Sequence, residues 1–481
     1  MKGIQWVGAG LGTAILIVFL LLPPLAPLTE LGMKTVGVFL CTIFWWIFVD
    51  TAFSSALCIA LLALAGVMNP TTLFATSMGS WLPIFIISCF GLTEAIRLSG
   101  FSRRFAMWFL TRPFATGHPW LLLALFFLAV TIMGALMSTA VTTILFMSIA
   151  VSILEGVGYQ KGSRFAAMFI MGIAWSATAS FVMTPIGHGS NLICMEWVFR
   201  DLGYTISFPG WMVVGIPMGL LTFLMLLVIF RYVIRPDMSK FGTMANEYIR
   251  KEADKIEPMK SEEKIALWVF FGVFVCWLLP SIMSRVLPGV SVYFEDLGVV
   301  IPPLVGTVLL CIIPVKKKPL LTFHQWMAGV EWGAVFLIAA VMAIGAVIVK
   351  PETGILELMT NVVQPVVTGA PFFVVVLVSV AWVVIQTNLM SNLVSAVTVY
   401  SIMMPAVIAA GVGHPVALGF SIFAGCHYAF SLPSATVATA IVAGSGWVPV
   451  RFMALYGAIL IIPVIVLYTF VGYPFAAFVY R

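Results

Sequence analysis

The chain has 481 residues, 62% hydrophobic and only 9% charged, with a mean hydropathy of +1.13 and a formal net charge of +6. Soluble domains run nearer ~45–50% apolar and ~25% charged, so soluble enzymes, nucleic-acid binders and disulfide scaffolds are excluded. A helix needs ~20 mostly apolar residues to cross a bilayer core, and this length allows on the order of ten to twelve crossings.

In chain order, apolar runs predict full spans near residues 8–28, 33–49, 52–68 and 81–96. The prolines at 23, 24 and 27 close the first run without a small-residue cleavage site, which predicts a span and not a signal peptide. A segment charge-free over 121–154 (hairpin 121–155), a broken span at 165–200 and a span at 208–230 follow. The polar stretch 236–264 alternates signs (Glu247, Arg250, Lys251, Glu252, Asp254, Lys255, Glu257) and predicts a solvated linker or surface helix. Beyond it come spans near 265–284, 297–313 and 332–349, a second charge-free segment at 371–411, a broken span at 414–446 and a last span at 452–476. The two charge-free segments are short for two crossings and carry small polar residues at their middles, so they predict re-entrant hairpins. The expected fold is an all-α polytopic membrane protein: eleven transmembrane helices plus two hairpins.

Lys and Arg concentrate in cytoplasmic loops. With the N-terminus inside, this parsing leaves Lys34, Arg200, Arg285, Lys350 and Arg481 outside and puts the other 19 of the 24 basic residues inside, including Lys2, Lys240, Lys316 and Lys317. The C-terminus is then outside, the first hairpin opens to the cytoplasm and the second to the exterior. The halves 1–235 and 265–481 thereby form an inverted repeat.

The halves also share motifs. The first hairpin centre reads Met137-Ser138-Thr139-Ala140-Val141-Thr142, and the second Met390-Ser391-Asn392-Leu393-Val394-Ser395. Downstream lie two breaks containing proline, Thr184-Pro185-Ile186-Gly187-His188-Gly189-Ser190-Asn191 and Leu432-Pro433-Ser434-Ala435-Thr436-Val437-Ala438-Thr439. From Ser138 to Pro185 is 47 residues, and from Ser391 to Pro433 is 42. Paired interruptions in corresponding segments point to a substrate site near the bilayer midplane, where half-helix N-termini face an anion and freed carbonyls hold a small cation. His188, in the first break, is placed to donate hydrogen bonds to that anion. His427, just before the second break, reads as structural. Glu94 is spaced to pair with Arg97, while Glu196 and Glu331, beside Trp197 and Trp332, read as interfacial residues. The sequence has no His-Glu-x-x-His and no Gly-x-Ser-x-Gly, so an intramembrane enzyme is not supported.

On these hairpin and break motifs the chain resembles the divalent anion/sodium symporter family, the INDY-like dicarboxylate transporters. That family carries Ser-Asn-Thr at each hairpin tip and proline-rich loops in both halves. The resemblance implies a first sodium site at Gly134, Ser138, Thr139 and Gly187 and a second at Thr387, Ser391, Asn392 and Ala435, with sodium as coupling ion and no other cofactor. The family's tip threonines fall on Ala140 and Leu393, and Thr139 stands where its first tip has Asn. Expected substrate contacts are Thr139, Ala140, Thr142, His188, Asn392, Leu393, Ser395, Thr436 and Val437. The resemblance further implies a homodimeric elevator in which hairpins and broken helices move against a scaffold. The function expected is sodium-coupled transport of small di- or tricarboxylates across a bacterial plasma membrane. Sodium-independent exchange in the same fold and, from another class, an anion channel are the alternatives. The partners expected are the organic anion, the lipid bilayer and a second copy of the chain, with no nucleic acid.

Overall fold

The computed structural model describes residues 3–112, 118–239, 241, 249–251, 253–284, 286–315 and 318–481. Lys2, Lys240, Glu247, Glu252, Arg285, Lys316 and Lys317, used above for topology and the linker, lie outside the described residues. The first half runs α1 (Gly3–Leu21), α2 (Glu30–Phe48), α3 (Thr51–Leu64), α4 (Pro70–Thr76), α5 (Trp81–Ser99) and α6 (Phe101–Leu110). A hairpin of α7 (Pro119–Gly134) and α8 (Thr139–Val157) follows, then a broken pair, α9 (Arg164–Ala179) and α10 (Gly189–Leu202), and α11 (Phe208–Val228) with a π turn to Ile234. The second half runs α12 (Ser261–Met283), α13 (Pro288–Leu297), α14 (Ile301–Ile312), α15 (Phe323–Gly329), α16 (Trp332–Ile348) and α17 (Ile355–Gly369). Its hairpin is α18 (Phe372–Thr387) and α19 (Asn392–Ala410), its broken pair α20 (Pro415–Gly425) and α21 (Val437–Gly444), and its end α22 (Val450–Leu467) and α23 (Tyr473–Val479). Strand is confined, among the described residues, to the antiparallel pair Pro314–Val315 and Lys318–Pro319.

The chain is an all-helical polytopic membrane protein. Among the described residues seven helices are long and apolar enough to cross a bilayer, and nine if the bent pairs α13/α14 (73°) and α15/α16 (66°) each count as one span. Local chemistry sets the ends. Asp50 caps α3 by accepting from the Ala52 and Phe53 amides at 2.7 and 2.9 Å, and Ser163 and Ser207 cap α9 and α11. The first predicted span stops early, at Leu21, before Pro23-Pro24, and the third stops at Leu64, two residues before Gly66 at φ 69°. The short helices α4, α6, α13, α15 and α17 fall where the sequence reading placed loops or the edge of a span.

The two hairpins match in length, with first arms of 16 residues and second arms of 19. The second arms α8 and α19 are each long enough to cross by themselves, which the sequence reading did not anticipate. Packing between the halves comes in reciprocal pairs: α3 lies on α16 as α5 lies on α14, and α9 lies on α21 as α10 lies on α20.

Each break loop is seated on the helix that follows its broken pair. A Cβ on Gly215 of α11 would lie 2.1 Å from the Val182 carbonyl oxygen, and one on Gly457 of α22 would lie 2.6 Å from that of Phe430. The same two carbonyls accept indole N–H groups, Val182 from Trp211 at 2.8 Å and Phe430 from Trp175 at 3.2 Å. Backbone against backbone leaves no slack for a side chain. Gly457→Val is therefore expected to lower stability by roughly 1–3 kcal/mol, read as a reduced thermal melting temperature in detergent; an unchanged melting curve would show that the loop yields.

Candidate functional site

Four helices begin at one place. The N-terminal residues of α8 (Thr139), α10 (Gly189), α19 (Asn392) and α21 (Val437) all line a single cavity of about 560 Å³. Its floor is the two hairpin tips and the two break loops, and its opposite wall comes from α2, α3, α5, α12 and α16, with Trp46, Phe85, Phe90 and Ile338 among the apolar contributors. Each helix start carries unpaired amide N–H groups and roughly half a positive charge. Among the described residues no Lys or Arg lines the cavity. An anion here meets dipole ends, hydroxyls, amides and the Glu331 carboxylate rather than a fixed cation.

Hairpins and break loops are sewn together through backbone carbonyls. Thr184 Oγ1 donates to the Ala135 carbonyl at the first tip at 2.5 Å, and Thr387 Oγ1 donates to the Cys426 carbonyl at 2.5 Å. Asn388, at the second tip, is buried and makes four bonds: its amide donates to the Val384 and Tyr428 carbonyls (2.8 and 3.0 Å), and its oxygen accepts from the Phe430 and Ser431 amides (3.0 and 2.9 Å). In the first half Asn191 donates to the Phe181 and Thr184 carbonyls at 2.7 and 2.9 Å. The sequence reading places Asn191 at the end of the first break without a role and does not name Asn388. An amide at a hairpin turn was the available signal for Asn388.

Of the residues expected to contact substrate, Thr139, Ala140, His188, Asn392, Leu393, Thr436 and Val437 line the cavity. Thr142 and Ser395 do not; they lie one turn into α8 and α19, buried, with Ser395 Oγ bonded to the Ser391 carbonyl of its own helix at 3.0 Å. Helical periodicity turns them away from the tip. Of the expected sodium residues, Ser138, Thr139, Gly187, Ser391, Asn392 and Ala435 line the cavity, whereas Gly134 and Thr387 sit behind the tips. A Cβ on Gly134 would lie 2.5 Å from Ser180 Oγ. The Asn392 side-chain amide lies 2.9 Å from Thr387 Oγ1, and Asn392 lines the cavity wall.

Glu331 corrects the sequence reading. Expected at an interface, its carboxylate instead lines the cavity and accepts from Ser138 Oγ at 2.6 Å. The first tip therefore has its serine hydroxyl committed to an acidic side chain from α16, while the Ser391 hydroxyl of the second tip has no partner among the described residues. Glu94 pairs with Arg97, with Nε 2.7 Å from Oε2, and Glu196 accepts from the Trp81 indole at 3.1 Å across 115 residues. His188 caps α10, its Nδ1 accepting from the Ser190 amide at 3.2 Å. Ser190 Oγ in turn lies 2.7 Å from that Nδ1 and 2.9 Å from Nε2 of His427, which is fully buried.

Comparison with known proteins matches this architecture to membrane carriers. The sodium-dependent dicarboxylate transporter SdcS of Staphylococcus saprophyticus is 25% identical over 474 residues, covering 94% of this chain and 88% of that protein. SdcS of Staphylococcus aureus is 23% identical with the same coverage, and an uncharacterized transporter of Haemophilus influenzae is 23% identical over 75% of this chain and 74% of that protein. Among solved structures, the YdaH transporter of Alcanivorax borkumensis shares the fold, with a TM-score of 0.58 at 11% identity, covering 93% of this chain and 98% of that one. These relatives agree with the resemblance read from the hairpin and break motifs, and the chain is a carrier and not an enzyme. The family model described as citrate transporter matches residues 6–433, and the chain accordingly belongs to the citrate transporter (CitMHS) family.

Proposed function

We propose that this protein is a secondary active transporter of small di- or tricarboxylates, coupled to sodium and working by an elevator movement. The observation that carries the reading is the convergence of four helix N-termini on one cavity with no Lys or Arg among the described lining residues. That arrangement holds an anion firmly enough to bind and loosely enough to release. His188 and the Asn392 amide supply directed donors, and the 560 Å³ cavity is of small-molecule size. The Thr387 and Ser391 hydroxyls and the backbone around Ala435 offer oxygen ligands of the kind a hard cation takes. Relatives named as sodium-dependent dicarboxylate transporters support the same coupling.

The repeats 1–235 and 265–481, joined by the linker 236–264, are related by inversion; the reciprocal pairs α3/α16 with α5/α14 and α9/α21 with α10/α20 are what a two-fold axis between halves produces. Eleven spans plus two hairpins, with the N-terminus cytoplasmic and the C-terminus outside a bacterial plasma membrane, follow from that symmetry and from the basic residues. The hairpins and broken helices, knit by the Thr184, Thr387 and Asn388 bonds, form the moving group. It meets α5 and α16 through Trp81–Glu196 and Ser138–Glu331. A second copy of the chain completes the scaffold.

Protein in sealed liposomes is expected to take up succinate, malate or citrate saturably and with trans-stimulation. Replacing sodium by choline should abolish uptake in the absence of internal substrate. Flux that is strictly exchange-dependent and indifferent to sodium would replace symport by anion exchange; non-saturable flux without counterflow would indicate a channel.

A further inference from the structure

The cavity carries one imidazole at its wall, and behind it lies a second that transport of an anion does not by itself require. The proton positions along this chain are dictated by a group that has no choice. A backbone N–H can only donate, and that of Ser190 points at His188 Nδ1 at 3.2 Å. An imidazole nitrogen that accepts carries no proton, so the His188 proton is on Nε2. The Ser190 hydroxyl, 2.7 Å from the same Nδ1, must then donate to it as well, which leaves the lone pairs of Ser190 Oγ as acceptors. His427 Nε2, 2.9 Å from that oxygen, is thereby the donor, and its own Nδ1 is the unprotonated nitrogen. That atom is buried without a partner, as suits a lone pair better than an N–H. The sequence of donors is His427 Nε2–H to Ser190 Oγ–H to His188 Nδ1. At the far end His188 Nε2–H makes no hydrogen bond among the described residues and stays accessible at the cavity wall.

We propose that Ser190 and His427 are positioning residues for anion binding: they lock the His188 imidazole in the tautomer and orientation that aim Nε2–H at a carboxylate in the cavity. The inference rests on the transport reading above. The surroundings support a fixed ring. His188 packs on Phe181 with centroids 4.9 Å apart and on the His427 ring at 5.1 Å, and His427 meets Phe181 edge-on at 5.7 Å. Cys426 Sγ lies 3.7 Å from Ser190 Oγ on the remaining side. His188 and Ser190 belong to the first break and His427 to the second, 237 residues away from Ser190. One half of the molecule thus sets the donor that the other half presents.

The test uses the full-length protein in liposomes, with radiolabelled succinate and citrate as probes. His427→Phe keeps the ring and removes the donor; it is expected to raise KM about tenfold while Vmax stays within about twofold, the loss of one directed bond to a charged ligand. His427→Gln places an amide N–H where Nε2–H was and should return KM to within about threefold of the native value. In a His188→Phe background, His427→Phe should add nothing further, since the two substitutions remove one interaction. If His427→Phe does not yield folded protein, Ser190→Ala, which keeps the backbone N–H but not the hydroxyl, should raise KM in the same direction. Multiplying effects of the His188 and His427 substitutions, or a His427→Gln variant as impaired as His427→Phe, would overturn the positioning role while native uptake leaves the transport reading intact. Absence of saturable uptake of both probes by the native protein would instead sink the transport reading, and the inference with it.

Discussion

Asn388→Ala is expected to be the most damaging single substitution around the cavity. Its side chain is buried and fully used, two donors and one doubly accepting oxygen, and it joins the second hairpin tip to the loop that carries Ser434, Ala435 and Thr436 to the cavity. Truncation strands the Phe430 and Ser431 amides, each at about 1–3 kcal/mol, so a stability loss of roughly 2–6 kcal/mol is expected. That is a large share of the stability a folded domain has. The loop would shift with it and transport would fall at least tenfold at equal expression. Asn191→Ala is the internal comparison. Asn191 donates to two carbonyls but its own Oδ1 has no partner; its loss leaves the Thr184 carbonyl with the Gly187 amide at 3.0 Å and strands the Phe181 carbonyl, an acceptor, which is tolerated better than a stranded N–H group. Thermal melting of both variants in detergent, with uptake in liposomes, checks the order; an Asn388→Ala protein with native melting and uptake would show that the loop is held otherwise.

Asn392→Ala should have the second largest effect, on affinity rather than stability. The Asn392 side-chain amide lines the cavity beside the uncommitted Ser391 hydroxyl, whereas at the first tip Ser138 is bound by Glu331 and Thr139 has no amide to offer. A carboxylate beside the first tip also repels an arriving anion. Loss of a hydrogen bond to a charged group costs roughly 1.5–3 kcal/mol, so affinity should drop about ten- to hundred-fold for Asn392→Ala. Thr139→Ala should cost less. Saturation of uptake by each variant measures the difference, and a larger KM change for Thr139→Ala would reverse the assignment of the two half-sites.

The hairpins and breaks were legible because chain reversal inside a bilayer demands small polar residues and proline in a long apolar run. The helix starts at Thr139 and Asn392 fall directly after the tip serines that the shared Met-Ser-x-x-Val pattern picks out. Nothing comparable marked α6 and α17, which are amphipathic, so that charged or polar residues recur along the sequence and hold it below the signal of a span. Thr142 and Ser395 belong to the same pattern as the tip serines, yet helix geometry carries them one turn from the cavity, a distinction a linear motif does not contain.

Composition and the period of apolar runs determined that this chain is a bundle of helices in a membrane, because every backbone polar group in lipid must be satisfied within a helix. The paired interruptions determined which segments form the floor of the candidate site, since a broken helix frees amides and carbonyls for a ligand. Which side chains complete it was decided by tertiary structure alone. Ser138 meets Glu331 across 193 residues and Ser190 meets His427 across 237. A carboxylate at the head of an apolar helix, or a histidine before a break, looks the same in sequence whether it faces lipid headgroups, core or cavity; only the folding of one half against the other gives it a partner.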